Sequence, residues 1–289
     1  MIAFLMGIIS DAAAQAGARK YRNEIVEWDR KRMESLKSAT GWVNLAGLYW
    51  LKKGENRFGS AAENELVFKE KAFPALLGTF TLSGNEVNWK TAAGNDVLIK
   101  NEKTAAATIF SGDEKNAAVL AFQTFRWSVI QREDLVGIRF RDLASPLLQK
   151  LQHIERYPIR KEWRINARIE KSLLPSVSIL NVLGQTVQEK SAGKLVFAYK
   201  GQTFKLDLVD EGTTNLFVLF GDETNAKETY PTGRFLYVPR PDADGNTVID
   251  FNKAYNPPCA FTPFATCPIP PKQNILPIAV KAGERKIHL

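Results

Sequence analysis

Residues 78–90, GTFTLSGNEVNWK, contain two short runs in which apolar and polar side chains alternate. The runs are GTFTL (78–82) and EVNWK (86–90), and a period of two is that of a strand with one buried face. Between them, Gly84 and Asn85 form a dipeptide that favours tight turns. The stretch therefore predicts a pair of short strands.

Similar short strand-like segments continue from Gly41 to Phe251. There are about fifteen of them, and they are rich in Val, Ile, Phe and Trp. No segment long enough to be a crossover helix separates these runs, so a parallel doubly wound sheet is not expected. Many short strands with frequent turn residues are typical of sandwiches and barrels. The predicted fold is mostly β, with β-sandwich or barrel-like sheets and one N-terminal α-helix.

The helix is predicted over residues 19–38, where apolar residues recur near one face and charges fill the other. The apolar residues are Ile25, Trp28, Met33 and Leu36. We expect the charged face to be solvated.

Two domains are expected after a short leader. Residues 17–142 would form the helix and a first β-sandwich, and residues 143–289 a second β unit packed against it. Residues 143–162 have the weakest strand signal and predict a short helix and loop that join the two.

The first nine residues, MIAFLMGII, are apolar and precede the small-x-small triplet at residues 14–16. This pattern predicts a signal peptide cut after Ala16, and an exported protein in the periplasm or outside the cell. No Lys or Arg precedes the apolar run, so a cytoplasmic protein is the alternative if the segment is not a signal. No other stretch reaches the length of a spanning helix, so no integral membrane segment is expected in the mature chain.

The formal net charge is +8, but the cations are dispersed among carboxylates. There is no basic tract or zinc-finger signature, so we do not expect a nucleic-acid partner. No Walker or G-x-G-x-x-G motif occurs, and no cofactor is predicted. No metal is predicted either, since the only histidines are His153 and His288. A Ser-His-Asp triad would require His153, which is more simply explained as a packing residue.

Residues 256–271, NPPCAFTPFATCPIPP, hold both cysteines and six prolines. We call this segment the proline-rich loop. Proline fixes φ and lacks an N–H, so the loop is neither a central strand nor a helix. Such a stiff loop suits the wall of a binding site, or a strap over a sheet edge.

Cys259 and Cys267 have three possible roles: a disulfide that an oxidising compartment would favour, a thiol or metal centre, or two free packing thiols. Of these, the disulfide is the leading prediction.

Polar residues gather around the last strands and in the loop, and they are the ligand-binding candidates: Asp222, Tyr230, Arg234, Asp250, Asn252, Tyr255 and Asn256. An Arg at a strand start can clamp a carboxylate or phosphate. It can equally pair with Asp222 or Asp250 as a structural bridge. The catalytic residues and the oligomeric state are not predictable from these patterns.

Three functions follow from this candidate site. The leading one is binding of a small or extended anionic ligand near the proline-rich loop. The alternatives are a hydrolase-type enzyme with an Asp/Tyr/Arg site at the same place, and a structural or envelope interaction protein.

Two resemblances complete the sequence evidence. Residues 50–90 resemble the start of a forkhead-associated sandwich at Gly54, Asn56, Phe58-Gly59 and Asn64. Ser60 stands where that family has its phosphate-binding Arg, and no Ser-x-x-His follows, so only the scaffold is implied.

The larger resemblance covers most of the chain, through WDRKRMESLKSATGWVNLAGLYWLKKGENRFGS, IRFRDLASP, ETYPTGRFLYV and IDFNKAYNPPCAFTPFATCPIPPKQNILPIAVKAGE. These pieces resemble the bacterial family catalogued as domain of unknown function 1684. The resemblance implies no activity, because none is settled for that family. An export signal is not a feature of every member.

Overall fold

The computed structural model describes residues 2–70 and 73–287, with side chains from Gln15 onward within those ranges. It confirms the predicted fold class, because the chain is mostly β with one long N-terminal helix, α1 (Ile2–Lys37). Most of the predicted signal peptide, residues 1–16, lies outside the described side chains, and His288 lies outside the described residues. Contacts divide the chain into a unit of residues 1–36 with 151–289, and a unit of residues 37–150. We call them the 151–289 unit and the 37–150 unit.

The 37–150 unit is a sandwich of two largely antiparallel sheets, followed by a single helical turn, α2 (Leu147–Lys150). One sheet has the order β3-β2-β4-β5-β8, and the other has the order β1-β11-β10-β9-β6-β7. The strands are β1 (Leu45–Trp50), β2 (Gly54–Gly59), β3 (Leu66–Val67), β4 (Gly78–Ser83), β5 (Glu86–Thr91), β6 (Leu98–Ile99), β7 (Glu102–Lys103), β8 (Ala106–Ser111), β9 (Leu120–Phe122), β10 (Phe125–Arg132) and β11 (Leu135–Asp142).

Aromatic side chains from both sheets fill the sandwich. The Phe58 ring on β2 lies 5.3 Å from the Phe140 ring on β11, and the Trp89 and Trp127 rings are 5.6 Å apart. The hairpin predicted from residues 78–90 is β4 and β5, in which Phe80 pairs with Trp89. These rings are buried, so the alternating pattern of the hairpin marks the face that packs into the core.

Two positions of the forkhead-associated-like match support the backbone of this unit. A Cβ on Gly59 would lie 2.1 Å from the carbonyl oxygen of Ala75, so only glycine fits there. Asn64 Nδ2 donates to the same carbonyl oxygen at 2.7 Å. Both residues therefore hold a loop against β2.

The 151–289 unit contains an antiparallel sheet in the order β17-β16-β15-β14-β12-β18, with β13 paired to β14. Its strands are β12 (Arg164–Glu170), β13 (Ser176–Leu180), β14 (Thr186–Tyr199), β15 (Gln202–Val209), β16 (Asn215–Phe220), β17 (Arg234–Pro239) and β18 (Asn246–Asp250). Apolar residues of these strands pack with Phe251, Leu276 and Val280 into a second core.

The chain after β18 returns across this sheet. There, the side-chain amide of Asn274 bridges β15 and β16. Its Oδ1 accepts from Asp207 N at 2.7 Å, and its Nδ2 donates to Leu219 O at 2.8 Å. Earlier, the proline-rich loop pairs with the end of β13, where Ile269 N donates to Leu180 O at 2.7 Å and Val182 N donates to Cys267 O at 3.0 Å. The loop therefore covers a strand edge.

Helix α1 docks on the 151–289 unit through Ile25 and Leu36, which are both buried, and through polar contacts. Asp29 pairs with Arg156 at 2.6 Å. The sequence grouped the helix with residues up to 142, whereas its contacts group it with residues 151–289. An amphipathic pattern shows that a helix has a packing face, but it does not identify the partner.

Candidate functional site

Arg234 is the first residue of β17, and its side chain is completely buried. Its Nη2 pairs with Asp222 Oδ2 at 2.7 Å and also donates to Val280 O at 2.9 Å. Its Nη1 donates to the carbonyl oxygens of Ala282 and Glu284. The guanidinium therefore binds the C-terminal backbone and a carboxylate of the chain itself, so it has no terminal nitrogen to offer an anionic ligand.

Asp222 is equally enclosed. Its Oδ1 accepts from Thr224 N at 2.8 Å, from Thr224 Oγ1 at 2.6 Å and from Val280 N at 3.3 Å. With Arg234 on the other oxygen, the carboxylate is fully engaged. The predicted structural bridge between these two residues is therefore present, and neither is placed to act on a substrate.

Asp250 and Asn252 lie together in a second polar cluster, which includes Tyr21 of α1. The Tyr21 hydroxyl donates to Asp250 at 2.9 Å and accepts from Asn252 Nδ2 at 2.9 Å. Burial, and then the Asp250 charge, raise the pKa of Tyr21 well above its ordinary value, so the phenol stays protonated. This cluster fastens the helix to the end of β18.

Asn256 and Tyr255 belong to a third cluster around Glu284, which is completely buried. Glu284 accepts from Asn256 N at 2.7 Å and pairs with Arg32 Nε at 3.2 Å. The Arg32 guanidinium carbon lies 4.5 Å from the centre of the Tyr255 ring, an arrangement that favours a cation–π contact. Burial raises the pKa of Tyr255 well above its usual value. Both predicted site residues thus hold α1 to the C-terminal chain.

Tyr230 lies apart from these clusters, beside the two cysteines. No disulfide joins Cys259 and Cys267 in the structure, and Cys259 N donates to Cys267 Sγ at 3.0 Å. Burial raises the pKa of Tyr230, and negative charge on the two sulfurs would raise it further. The predicted disulfide is not formed here. Among the described residues no group of three or more His, Cys, Asp or Glu is placed to hold a metal ion, and His153 is exposed.

The seven candidates therefore separate into three structural clusters and one thiol pair, and they do not share a pocket. None of them lines the cavity of about 510 Å³ that lies in the 151–289 unit beside Trp163 and Tyr199. Three cations line it: Arg160 before β12, Lys200 in the β14–β15 turn, and Lys281 near the C-terminus. We call it the cationic cavity.

Two aromatic residues also line this cavity. Trp163 and Tyr199 stack with their ring centres 4.5 Å apart and their planes at 22°. Trp163 is buried and its Nε1 has no hydrogen-bond partner among the described residues, whereas Tyr199 is only partly buried. Lys200 Nζ lies 5.3 Å from the centre of the Tyr199 ring. A charged rim thus stands beside an apolar surface, as in many small-ligand sites.

Two of the predicted site residues, Asn252 and Arg234, hold the backbone segments that line this cavity. Asn252 Oδ1 accepts from Arg160 N at 3.1 Å and its Nδ2 donates to Arg160 O at 2.9 Å, which fixes the Arg160 backbone. Arg234 binds the carbonyl oxygens of Val280 and Ala282, the residues on either side of Lys281. The sequence patterns therefore identified residues that surround the cavity, but they missed the three cations that line it.

Two carboxylates, Glu162 and Glu223, line the cavity as well. Glu162 pairs with Arg160 at 3.6 Å, and Glu228 outside the lining pairs with Lys281 at 3.5 Å. Both pairs are at the surface, where water screens them and each contributes little. The cations can therefore exchange these partners for a ligand at small cost.

Two further cavities occur in this unit. One of about 590 Å³ lies beside the exposed Leu173 and Leu174, and one of about 270 Å³ lies near Tyr21 and Ile159. The first is lined by two cations, Lys171 and Lys194. The second is lined by three, Arg19, Arg22 and Lys161, but its volume is only about half that of the cationic cavity. No helix in the described part of the chain is long and apolar enough to cross a membrane.

Comparison with known proteins identifies the family. Residues 149–285, nearly all of the strand-bearing part of the 151–289 unit, match the family model described as protein of unknown function (DUF1684). The chain belongs to this family. An uncharacterized protein of Haloarcula marismortui is 30% identical, with a TM-score of 0.41; the match covers 49% of this chain and 80% of that one. The comparison with curated proteins gave no match.

Weak similarity to forkhead-associated structures is also present. A structure from a study of phosphothreonine-dependent interactions of these domains is 12% identical, with a TM-score of 0.23; the match covers 32% of this chain and 92% of that one. EmbR of Mycobacterium tuberculosis in complex with a phosphopeptide is 14% identical, also with a TM-score of 0.23, over 46% of this chain and 32% of EmbR. Similarity at this level supports no functional argument, and the DUF1684 assignment carries no activity.

Proposed function

We propose that this DUF1684 protein binds an anionic ligand in the cationic cavity. The observation that carries the proposal is the convergence of Arg160, Lys200 and Lys281 on one open hollow of about 510 Å³. These residues come from three separate segments of the chain. A cavity of this size falls within the range of small-molecule sites.

The backbone around the cavity is held in place before any ligand arrives. Asn252 fixes Arg160, and the buried Arg234 pair fixes the segment that carries Lys281. Lys200 is in a tight turn, with φ of 49° at Lys200 and 78° at Gly201. Little backbone entropy is then lost on binding, which favours affinity.

The lining also suggests the shape of the ligand. Three cations against two carboxylates leave a positive excess in the lining, which favours an anionic ligand over a neutral one. The partly exposed Tyr199 ring offers an apolar surface beside the charges. A compact anion with an apolar or ring-shaped part therefore fits best.

Calorimetric titration tests the proposal, with pyrophosphate and citrate as anionic probes and glucose as the neutral control. We expect the anions to bind and the binding to weaken as salt is added, because salt screens exposed charges. The Lys200→Ala/Lys281→Ala variant should bind about tenfold more weakly or worse.

The matched control is Lys53→Ala/Lys90→Ala, which removes two exposed cations from the 37–150 unit. It should bind like the wild type. The proposal is overturned if the wild type binds neither anion, or if the two double variants bind equally.

A hydrolase with Asp222, Tyr230 and Arg234 gains no support from the geometry, since Asp222 and Arg234 are buried and paired with each other. The interaction-protein alternative has one supporting observation. Leu173 and Leu174 project from the loop before β13, with relative exposures of 102% and 68%. Exposed apolar side chains of this kind occur at interaction surfaces. Substituting both by serine would test it, through loss of association in sedimentation.

Export forms part of the proposal, with mature protein beginning at Gly17. The helix contacts described above begin at Tyr21, so cleavage after Ala16 would leave them intact. In an oxidising compartment Cys259 and Cys267 would form the predicted disulfide. The mass of the protein recovered from its native host tests both statements, because it reports the N-terminal residue and the state of the thiols.

A further inference from the structure

We infer that Cys259 and Cys267 form a thiol–disulfide exchange site, in which Cys259 reacts with an external disulfide and Cys267 resolves the mixed disulfide. The substrate class is a disulfide, and the product is an intramolecular disulfide across the proline-rich loop. The site is independent of the proposed anion binding, because neither cysteine lines the cationic cavity.

The first argument is proximity. The backbone N–H of Cys259 donates to the Cys267 sulfur at 3.0 Å, and Cys259 Sγ lies 3.5 Å from Ala265 O within the same turn. Adding the N–Cα bond and the reach of a cysteine side chain limits the Cα–Cα separation to about 7 Å or less. The two cysteines are therefore close enough for a small movement of the loop to bring them into disulfide geometry.

The second argument is an asymmetry between the two thiols. Cys267 is only 4% exposed, whereas Cys259 is half-buried and can meet a reagent from solvent. The hydrogen bond between the side chains lowers the pKa of the Cys259 thiol, so more of it is thiolate at neutral pH. The accessible thiol is thus also one whose pKa is lowered, which assigns the first attack to Cys259 and the second to the buried Cys267.

The chemistry is a two-electron exchange. The Cys259 thiolate attacks one sulfur of a disulfide RSSR, a Cys259–S–S–R bond forms, and RS⁻ leaves. The Cys267 thiolate then attacks the Cys259 sulfur, the intramolecular bond forms, and the second RS⁻ leaves. The two thiol protons pass to solvent or to the released thiolates. RSSR is reduced and the cysteine pair is oxidised.

Closure would fasten the loop to β13. Cys267 O already accepts from Val182 N, and two residues later Ile269 N donates to Leu180 O. Linking Cys259 to Cys267 would tie the Pro258–Ala260 turn to this paired segment. Oxidation should therefore raise the melting temperature of the protein, since a short covalent loop restricts the unfolded chain.

The test uses oxidised glutathione as the probe on the native, reduced full chain. Samples are quenched with N-ethylmaleimide and their intact masses are measured. The wild type should lose two hydrogens and become unreactive to the quencher. Cys267→Ser should accumulate one glutathione on Cys259, because nothing resolves the adduct.

Cys259→Ser is the matched variant, with Cys267 as its only thiol. It should gain glutathione at least about tenfold more slowly than Cys267→Ser, since the remaining thiol is buried. Thermal melts of the reduced variants confirm that they are folded. The inference fails if the native wild type keeps two alkylatable thiols in excess oxidised glutathione, or if Cys259→Ser reacts as fast as Cys267→Ser.

Discussion

Arg234 and Asp222 form an ion pair in which both side chains are completely buried, with Nη2 and Oδ2 separated by 2.7 Å. Around it, the C-terminal backbone at Val280, Ala282 and Glu284 supplies carbonyl oxygens to the guanidinium. The pair therefore works as an internal clip that holds the end of the chain across the sheet. It also positions Lys281, which faces the cationic cavity.

The first prediction concerns this pair. Arg234→Met should lower the free energy of unfolding by about 3–5 kcal/mol, because it leaves the Asp222 carboxylate buried without its cation. Equilibrium urea denaturation measures the change. The control is Arg240→Ala, whose partner Asp210 is near the surface, and which should cost about 1 kcal/mol or less. Similar losses in the two variants would refute the structural role of Arg234.

The second prediction concerns Gly283, which has a φ of +76°. An added Cβ would lie 2.5 Å from Ala254 O and 2.8 Å from Phe251 O. Gly283→Ala should therefore destabilise the protein by roughly 2–4 kcal/mol, from both backbone strain and overlap. Gly212 has a φ of +74° in open space, so Gly212→Ala isolates the strain and should cost about 1 kcal/mol. Equal effects in thermal melts would show that the close packing at Gly283 is absent.

The third prediction concerns the docking of α1. Tyr21→Phe removes a hydroxyl that bonds both Asp250 and Asn252, so unfolding should become easier by about 1–3 kcal/mol. Amide exchange should also speed up along residues 17–36 more than in β14. Tyr237→Phe, which removes a hydroxyl that bonds Glu211 at the surface and does not contact Asp250 or Asn252, is the matched control and should change the exchange rate of the helix little. An unchanged exchange rate in the helix would mean that this cluster does not hold it.

The fourth prediction concerns alkaline pH. Burial raises the pKa of Tyr49 in the 37–150 unit to about 12, whereas an unfolded tyrosine titrates near 10. Above about pH 10 the unfolded chain therefore binds fewer protons than the native one, so stability is full below that pH and falls as pH rises towards 12.

Tyr49→Phe should reduce this loss of stability between about pH 10 and 12 in denaturant titrations, relative to the wild type. Tyr157 and Tyr237 also have pKa values of about 12, so part of the loss should persist. An identical pH slope in variant and wild type would contradict the buried position of the Tyr49 hydroxyl.

Local patterns in the sequence predicted the elements well. The alternation in residues 78–90 became the β4–β5 hairpin, and the amphipathic run from residue 19 became the C-terminal part of α1. Proline content correctly indicated a loop that is not a central strand; its one helical feature is the 3-10 turn Pro258–Ala260, and it covers the edge of β13. These features depend on neighbours a few residues apart, which a sequence displays directly.

Partners distant in sequence were not predictable. Arg32 meets Glu284 and Tyr21 meets Asp250 across more than two hundred residues, so no local spacing reveals them. The cationic cavity likewise unites Arg160, Lys200 and Lys281, each of which looks like an ordinary surface cation. The sequence did single out polar residues near the last strands. In the structure most of these residues are buried, and two of them hold the backbone behind the cavity instead of lining it.

The central claim is that anions bind at the cationic cavity, and NMR chemical shifts test it most directly. On titrating pyrophosphate into ¹⁵N-labelled protein, we expect the backbone amides of Lys200 and Lys281 and the indole of Trp163 to shift together with one saturating curve. The amide chemical shifts of residues around Tyr230 and Asn256 should not change. Shifts centred on Tyr230 and Asn256, or none at saturating pyrophosphate, would contradict the account.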